Sequence, residues 1–311
     1  MKKKIIITGG AGFIGLNLIS LLDTKKYNII VIDKNQNNLN FIYKINPDVK
    51  IVNADLKEMS DWTKYFSGAF CVIQLQTQIT SPQKEDYTAN NVSSVENVLK
   101  ACKKYKVKNL IHVSTAGVIS VAKDNYSITK TLGENLVRES KIPHTILRPP
   151  MLYGCFEIKH LGFLANALDS FPILPFPGTG KYIRQPIYAK DLCRIIINLI
   201  EKTPKREAHN IIGKEQIYFI DLIKAIVKEK AQKRFLLTLP IPIFLLLFKT
   251  YTSLTRKEPY QESQLTALTA GDIFPVDNWE KKFNVKYTPF NEGVKDYASP
   301  AHQEYAKEML R

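Results

Sequence analysis

Short apolar runs alternate with helical patterns through the first two thirds of this chain. The runs are almost continuous in apolar residues, and the segments between them place apolar residues three and four positions apart, as an amphipathic helix does. The predicted strands are Ile5–Thr8, Ile29–Asp33, Lys50–Val52, Ala69–Leu75, Asn109–Ser114 and Thr145–Arg148, and the helices between them include Ser93–Tyr105 and Tyr126–Glu139. Apolar strands that alternate with helices are typical of an α/β fold with a doubly wound parallel sheet.

The pattern becomes less regular after Pro150. The segment Phe171–Gly180 holds three prolines and two glycines, so we predict a loop there. Extended pieces are predicted at Gln185–Ile187 and Asn210–Ile212, and helices at Asp191–Glu201 and Phe219–Lys230. We therefore predict a main domain formed by residues 1–150, to which residues 181–202 return, and a smaller interleaved C-terminal lobe formed by residues 151–180 and 203–311.

The most apolar part of the predicted smaller lobe is Phe235–Phe248 (FLLTLPIPIFLLLF). It is shorter than the roughly 20 apolar residues that a membrane-spanning helix needs. We predict a buried helix of the smaller lobe, although Pro240 and Pro242 interrupt regular helix. The alternative is an anchor that lies in a membrane interface, because basic residues suited to anionic headgroups follow it. These residues are Lys249, Arg256 and Lys257.

The composition is that of an ordinary globular protein with an excess of positive charge. Hydrophobic residues make up 45% of the 311 residues, and the formal net charge of +15 favours anionic partners such as nucleotides or phospholipid headgroups. No nucleic-acid-binding motif is recognisable, so no nucleic-acid partner is predicted. Four cysteines without a CxxC pair and five scattered histidines indicate neither a disulfide framework nor a metal site. Only three apolar residues follow the basic start, which predicts a first strand rather than a signal peptide, and a cytoplasmic protein.

A glycine-rich turn directly follows the first predicted strand. Residues 8–15 read TGGAGFIG, so Gly9, Gly12 and Gly15 stand three apart between an apolar strand and an apolar helix. Such a turn lets the backbone approach the pyrophosphate of a dinucleotide, and the helix N-terminus offers free N–H groups to the phosphates. Asp33 ends the second strand about 20 residues later, where a carboxylate accepts hydrogen bonds from the adenosine ribose. We predict a Rossmann fold that binds NAD in preference to NADP, because this carboxylate repels a 2′-phosphate.

Two further positions indicate acid–base chemistry. Tyr126 and Lys130 form a Y-x-x-x-K pair on a predicted helix, where residues four apart share one face. An ammonium beside a phenol favours the phenolate, so we expect a lowered pKa for Tyr126 and a role as acid and base. Thr115 follows the strand Asn109–Ser114, at the carboxyl end where catalytic groups of open α/β sheets lie. Its hydroxyl is predicted to hold the substrate oxygen; the alternative is a residue that caps local backbone.

Together these motifs resemble the NAD-dependent epimerase/dehydratase family, the nucleotide-sugar epimerase-like branch of the extended short-chain dehydrogenase/reductase superfamily. The resemblance extends to VSTAGV at 113–118, LRPPMLYG at 147–154 and RQPIYAKDL at 184–192. It implies an NAD cofactor and three catalytic residues, Thr115, Tyr126 and Lys130. The implied cofactor-binding residues are Gly9, Gly12, Phe13, Ile14, Asp33, Asp55, Leu56, Leu75, Gln76, Thr77, Asn91, Tyr126, Lys130 and Pro149. The implied substrate-binding residues are Thr115, Met151 and Arg184, with the arginine facing the diphosphate of a sugar nucleotide.

Departures from the family's motifs narrow the expected reaction. Gln76 and Thr77 replace alanines, which predicts a more polar cofactor pocket. Met151 stands where many nucleotide-sugar enzymes have an asparagine that contacts substrate. Ala116 and Gly117 replace the acid pair of the dehydratase branch, which disfavours 4,6-dehydration.

We therefore predict an NAD-dependent epimerase or oxidoreductase that oxidises a hydroxyl of a nucleotide-activated sugar transiently. A dehydrogenase of a lipid alcohol, as in the 3β-hydroxysteroid branch, is an alternative that Met151 and Phe235–Phe248 would suit. A catalytically silent NAD(P)-binding subunit is a third interpretation, and the intact pair of Tyr126 and Lys130 argues against it. A homodimer and a peripheral contact with a membrane are candidate associations.

Overall fold

The computed structural model describes residues 2–121, 123–159, 161–162, 173–230, 235–255 and 273–309. In chain order the strands are β1 (Lys3–Thr8), β2 (Tyr27–Asp33), β3 (Lys50–Asn53), β4 (Cys71–Gln74), β5 (Leu110–Val113), β6 (His144–Arg148), β7 (Leu152–Tyr153), β8 (Ile173–Pro177), β9 (Ile183–Arg184), β10 (Ile187–Tyr188), β11 (Glu207–Asn210), β12 (Ile217–Tyr218) and β13 (Phe235–Leu239). Seven of them form the main sheet in the order β11-β6-β5-β4-β1-β2-β3, and all neighbouring pairs are parallel. The predicted doubly wound α/β fold is confirmed.

Helices cover both faces of the main sheet and build much of the rest of the molecule. In chain order the α-helices are α1 (Phe13–Leu21), α2 (Gln36–Ile45), α3 (Lys84–Thr88), α4 (Ser94–Lys104), α5 (Asn125–Glu139), α6 (Ala189–Ile200), α7 (Phe219–Glu229), α8 (Ile241–Thr255), α9 (Trp279–Phe283), α10 (Phe290–Gly293) and α11 (Pro300–Met309). Strand β1 shows why the sheet needs two layers of helices. Ile5 and Ile7 belong to one buried cluster and Ile6 to the cluster on the opposite face, because successive side chains of a strand alternate. A strand that is buried on both faces has the continuous apolar sequence seen here.

A third apolar cluster is formed by residues outside the strands of the main sheet. It brings Tyr153 of β7 and Tyr188 of β10 against Phe219 of α7 and Phe290 of α10. Three two-stranded sheets accompany it: β10 with β7, β12 with β9, and β13 with β8. Strand β11 lies in the segment assigned to the smaller lobe from sequence, yet it pairs with β6 at the edge of the main sheet. The division of the chain into two lobes stays a prediction. Strand β11 belongs to the main sheet and not to the smaller lobe.

Two local predictions in the second half of the chain were wrong. The expected loop Phe171–Gly180 contains β8, which pairs in parallel with β13; residues 171 and 172 lie outside the described residues. Proline is tolerated in β8 because a two-stranded sheet leaves one edge of each strand without backbone partners. The strand expected at Asn210–Ile212 lies three residues earlier, at Glu207–Asn210.

The apolar segment Phe235–Phe248 is not the single buried helix predicted from its composition. It forms β13 and then enters α8 at Ile241. Pro240 separates the two elements because it has no N–H to donate to a ladder, whereas Pro242 lies in the first helical turn, where no N–H partner is needed. Several of the segment's apolar side chains are exposed, with Phe235 at 76% and Leu246 at 66%.

Candidate functional site

A cavity of about 1050 Å³ opens at the carboxyl ends of β1 and β4. The strand order reverses between these two strands, since β2 and β3 extend from one side and β5 and β6 from the other. Ligands of open α/β sheets bind in the crevice at such a switch point. The cavity is lined by these residues of the sequence prediction: Gly9, Gly12, Phe13, Ile14, Asp33, Asp55, Leu56, Leu75, Gln76, Thr77, Thr115, Tyr126, Lys130, Pro149, Met151 and Arg184.

The glycine-rich turn has the geometry that the prediction requires. Gly9 has φ +68°, and a Cβ built on it would lie 2.3 Å from the backbone nitrogen of Gln76. A Cβ on Gly15 would lie 2.1 Å from the carbonyl oxygen of Gly10, so α1 packs too closely on the turn for any side chain. At Gly12, which lines the cavity, the only contact within 4 Å would be the Gly9 oxygen at 3.4 Å. Gly9 and Gly15 are thus required by the fold, whereas Gly12 leaves space beside the cavity.

Asp33 is fixed at the cavity wall by backbone donors. Its Oδ2 accepts a hydrogen bond from the Ala11 N–H at 3.1 Å, and its Oδ1 accepts one from the Asn35 N–H at 3.0 Å. Burial raises the pKa of this carboxyl. The neighbouring Lys34 directs its Nζ to Asp55, 3.6 Å from the carboxylate Oδ2, and to Asn90. A carboxylate held by the turn itself is well placed to face a ligand bound on that turn.

Asn91 differs from the other predicted cofactor residues, because it is buried behind the cavity wall and does not line it. Its Oδ1 accepts hydrogen bonds from the Thr77 hydroxyl at 3.2 Å and the Gln78 N–H at 2.7 Å. Its Nδ2 donates to the Thr129 hydroxyl at 3.0 Å. A direct contact of Asn91 with the cofactor stays a prediction, and in the structure this amide fixes the Thr77 loop to α5.

The predicted catalytic residues meet at one place in the cavity. A capping box between Asp124 and Ser127 starts α5, which puts Tyr126 in its first turn. The hydroxyls of Thr115 and Thr77 lie close enough to the Tyr126 oxygen to act on its pKa. Thr115 also caps local backbone, because its Oγ1 accepts a hydrogen bond from the Gly117 N–H at 3.1 Å. The two roles weighed for this threonine from sequence are thus compatible.

The expected lowering of the pKa of Tyr126 is not found in the ligand-free cavity. Burial raises the pKa of Tyr126, and the nearby hydroxyls of Thr115 and Thr77 only partly oppose this effect. Lys130 donates from Nζ to the carbonyl oxygen of Val113 at 2.9 Å, and burial lowers the pKa of Lys130 to about 8. The Lys130 ammonium is held at the end of β5. Any lowering of the Tyr126 pKa by this charge is smaller than the rise caused by burial.

A buried ion-pair network lies one helical turn beyond Lys130. The carboxylate of Glu134 is 3% exposed and accepts hydrogen bonds from Arg138 Nε at 2.9 Å and Arg148 Nε at 3.0 Å. Burial raises the pKa of Glu134, but the hydrogen bonds that it accepts, with that of Arg148 the strongest, outweigh this effect and hold the pKa at about 2. The network joins α5 to β6 four residues after Lys130.

This network predicts a loss of stability in acid. The folded-state pKa of Glu134 lies below its ordinary value of 4.5, so its contribution is fully present above that pH and is lost as the pH falls toward 2. The shift corresponds to about 3 kcal/mol. Urea unfolding from pH 7 to pH 2 should show a shallower acid slope in Glu134→Gln than in wild type. Glu96→Gln, which removes an exposed pair with Lys100, is the control and should keep the wild-type slope. Equal slopes for wild type and Glu134→Gln would contradict this assignment.

Sequence reasoning missed several residues on the wall of the cavity. Phe244 and Leu245 of α8 line it, as do Phe176 of β8 and Phe274. The segment containing Phe244 and Leu245 was singled out only as core or anchor, and no local signal could place it beside β8. From α11, Tyr305 also lines the cavity. Within the described ranges no three His, Cys, Asp or Glu side chains are arranged to hold a metal ion.

Comparisons with known proteins agree with this geometry. The sequence pattern of the NAD dependent epimerase/dehydratase family matches residues 5–212. A dTDP-D-glucose 4,6-dehydratase of Dictyostelium discoideum is 28% identical over 278 residues, which cover 72% of this chain and only 62% of that protein. A putative UDP-glucose 4-epimerase of Methanocaldococcus jannaschii is 28% identical over 244 residues, which cover 68% of this chain and 77% of that protein.

Solved structures show the same fold along nearly the whole chain. The crystal structure of a UDP-glucuronic acid 4-epimerase from Bacillus cereus in complex with NAD has a TM-score of 0.71 at 22% identity, covering 98% of this chain and 97% of that one. A UDP-N-acetylglucosamine 4-epimerase from Methanobrevibacter ruminantium M1 has a TM-score of 0.74 at 18% identity, covering 99% of this chain and 100% of that one. The family pattern extends over two thirds of the sequence, from β1 to the residues after β11. The chain therefore belongs to the NAD-dependent epimerase/dehydratase family.

Proposed function

We propose that this protein is an NAD-dependent epimerase or oxidoreductase that acts on a nucleotide-activated sugar, with Tyr126 as acid and base. The observation that carries the proposal is the meeting of Thr115, Tyr126 and Lys130 in the same cavity as the glycine-rich turn. A proton-transfer group beside a dinucleotide-binding turn is the minimum that reversible oxidation of an alcohol requires.

The residues of the cavity fit a bound NAD. Gly12 leaves room for close approach of the pyrophosphate, and the Asp33 carboxylate is fixed where ribose hydroxyls can donate to it. Gln76 supports the fit, because its buried Nε2 has no hydrogen-bond partner among the described residues while its Oε1 accepts from the Thr8 hydroxyl at 2.7 Å. When bound, NAD supplies a hydride acceptor and donor.

The chain's own residues supply the proton chemistry in this proposal. The Tyr126 oxygen takes the proton of the substrate hydroxyl when the alcohol is oxidised and returns it when the ketone is reduced. The Thr115 hydroxyl lies near this oxygen and is proposed to hold the substrate oxygen beside it. Lys130 keeps its Nζ on the Val113 carbonyl, so its remaining N–H donors are available to a ribose hydroxyl. Ala116 and Gly117 follow Thr115 and supply no carboxyl group, which argues against dehydration.

Arg184 is proposed to bind the diphosphate of the substrate. It ends β9 and lines the cavity, and its guanidinium donates a hydrogen bond to the carbonyl oxygen of Ile183 at 2.9 Å. A guanidinium is a planar fork of N–H donors whose charge and geometry suit phosphate oxygens. Arg184→Ala should raise the KM for the sugar nucleotide roughly tenfold or more, the loss expected for a charge-assisted hydrogen bond. NAD affinity, measured by calorimetry, should stay at the wild-type level. Arg184→Lys is the matched variant, which keeps the positive charge. Its KM should lie between those of the wild type and Arg184→Ala.

The alternative substrate, a lipid alcohol, is favoured by one observation. Phe176, Phe244, Leu245 and Phe274 make part of the cavity wall apolar, and Met151 lies on the same wall. An apolar wall suits a hydrocarbon better than it suits a sugar diphosphate. An unchanged KM of Arg184→Ala for every sugar nucleotide would favour this alternative.

The test is incubation of the protein with NAD and a panel of UDP-, GDP- and dTDP-sugars. Chromatography would detect an epimer, and absorbance of the reduced cofactor would detect net oxidation. Calorimetry should show tighter binding of NAD than of NADP, because the Asp33 carboxylate faces the ribose. Absence of turnover with every sugar nucleotide, together with turnover of a sterol or polyprenol, would reject the proposed substrate class. Failure to bind either dinucleotide would reject the proposal as a whole.

A further inference from the structure

An exposed apolar surface is built by the sheet of β8 and β13 together with helix α8. From the two strands it includes Ile173, Phe235 and Leu237, which are 52%, 76% and 50% exposed. From the helix it includes three residues of similar exposure, which are Ile243, Leu246 and Leu247. The three elements adjoin one another, because β13 pairs with β8 and α8 contacts β8, and we call these six exposed side chains the apolar strand–helix surface. Single exposed apolar residues are common, but contiguous groups on neighbouring elements mark contact sites.

Helix α8 connects this surface to the candidate site. Phe244 and Leu245 lie between the exposed residues in sequence, and both line the cavity. The same helix therefore presents apolar side chains to solvent on one side and to the cavity on another. A partner that covers the apolar strand–helix surface would lie beside the cavity.

The charge of the residues around β13 and α8 indicates a negatively charged partner for this surface. Residues 228–257, which include β13 and α8, contain seven lysine or arginine residues and a single acidic residue, Glu229. An apolar element bracketed by basic residues is the pattern of segments that lie in the plane of an anionic membrane. Each basic side chain near such a surface adds about 1 kcal/mol to binding.

We propose that the apolar strand–helix surface docks peripherally on an anionic phospholipid bilayer. The apolar side chains enter the boundary between headgroups and acyl chains, and the basic residues of the segment meet the headgroups. Docking of this kind is peripheral, since no helix in the described part of the chain is long and apolar enough to cross a membrane. A second copy of the chain is the less suitable occupant, because a symmetric contact would bring two strongly basic segments together.

The experiment is co-sedimentation with vesicles of phosphatidylcholine alone and of phosphatidylcholine mixed with phosphatidylserine, at low and high salt. The wild-type protein should pellet with the phosphatidylserine vesicles at low salt and be released by high salt. The double variant Leu246→Ser/Leu247→Ser should bind these vesicles on the order of tenfold to a hundredfold more weakly, because two leucines no longer enter the apolar boundary. Light scattering should show the same oligomeric state for both proteins.

A matched control keeps the result specific to this surface. Met59→Ser/Phe70→Ser removes two exposed apolar side chains elsewhere, at 49% and 38% exposure, and should bind vesicles like the wild type. Thermal unfolding of all three proteins verifies that they are folded.

The proposal is overturned if wild type stays in the supernatant with phosphatidylserine vesicles at low salt, or if the leucine variant binds equally well. It is also overturned if that variant dissociates a dimer, since the surface is then a contact between copies. None of these measurements uses turnover, so they are independent of the proposed function.

Discussion

Replacing Tyr126 with phenylalanine is expected to lower turnover by a factor on the order of 10² to 10⁴ while NAD affinity stays at the wild-type level. The substitution removes the hydroxyl that Thr115 and Thr77 contact and leaves the ring in the cavity wall. Turnover would be measured under saturating NAD with the substrate that the panel identifies, and affinity by calorimetry. Tyr218→Phe, at a tyrosine that is 45% exposed and lies outside the cavity, is the control and should retain full activity.

The proton-transfer role also predicts how the rate depends on pH. Burial raises the pKa of Tyr126 in the ligand-free cavity, so the phenolate that accepts a proton is scarce at neutral pH. Alcohol oxidation by the wild type should therefore accelerate as the pH rises, and the residual rate of Tyr126→Phe should lose this dependence. Full turnover in Tyr126→Phe would show that another group transfers the proton.

Gly12→Ala is expected to abolish measurable NAD binding and to leave the thermal unfolding midpoint near that of the wild type. A Cβ at this position would meet only the Gly9 oxygen, at 3.4 Å, so the ligand-free fold can accept it. The same Cβ would occupy the space that the pyrophosphate needs, because Gly12 lines the cavity at the N-terminus of α1. Calorimetry and thermal unfolding of one preparation would measure both effects.

Gly15→Ala provides the contrast to that variant. Its Cβ would lie 2.1 Å from the backbone oxygen of Gly10, and neither α1 nor the turn can move without disturbing β1. We expect a loss of stability at the upper end of the 1–3 kcal/mol typical of overpacking, or more. Wild-type NAD affinity in Gly12→Ala would place the dinucleotide elsewhere. Wild-type stability in Gly15→Ala would show that the packing of α1 on the turn is looser than described.

Local sequence patterns determined the main sheet because each strand there is specified by its own residues. Ile5, Ile6 and Ile7 are apolar in succession, which suits only a strand that is buried on both faces, and the structure buries all three. The glycine-rich turn was equally predictable, since only glycine fits the contacts at Gly9 and Gly15. All the predicted site residues except Asn91 line the cavity, because the family's motifs fall at the carboxyl ends of neighbouring strands.

Three features were decided by tertiary contacts that no local pattern contains. Asn91 supports the Thr77 loop through hydrogen bonds to residues more than ten positions away, so its role depends on which elements pack together. Strand β8 exists because β13, about 60 residues later in the chain, pairs with it despite its prolines. The pKa of Tyr126 depends on how deeply the folded chain buries the hydroxyl, which the spacing of Tyr126 and Lys130 cannot report.

The sequence by itself therefore determined the parallel sheet and the glycine-rich turn, and it identified Thr115, Tyr126 and Lys130 as residues of one cavity. These follow from interactions within a strand, a turn or one helical turn, which are encoded by residues close together in the chain. Only the tertiary structure brought Phe244 and Leu245 to the cavity and left Leu246 and Leu247 exposed beside it. Neighbouring residues of one apolar run have the same hydropathy, and which of them is covered depends on the elements that pack against the helix.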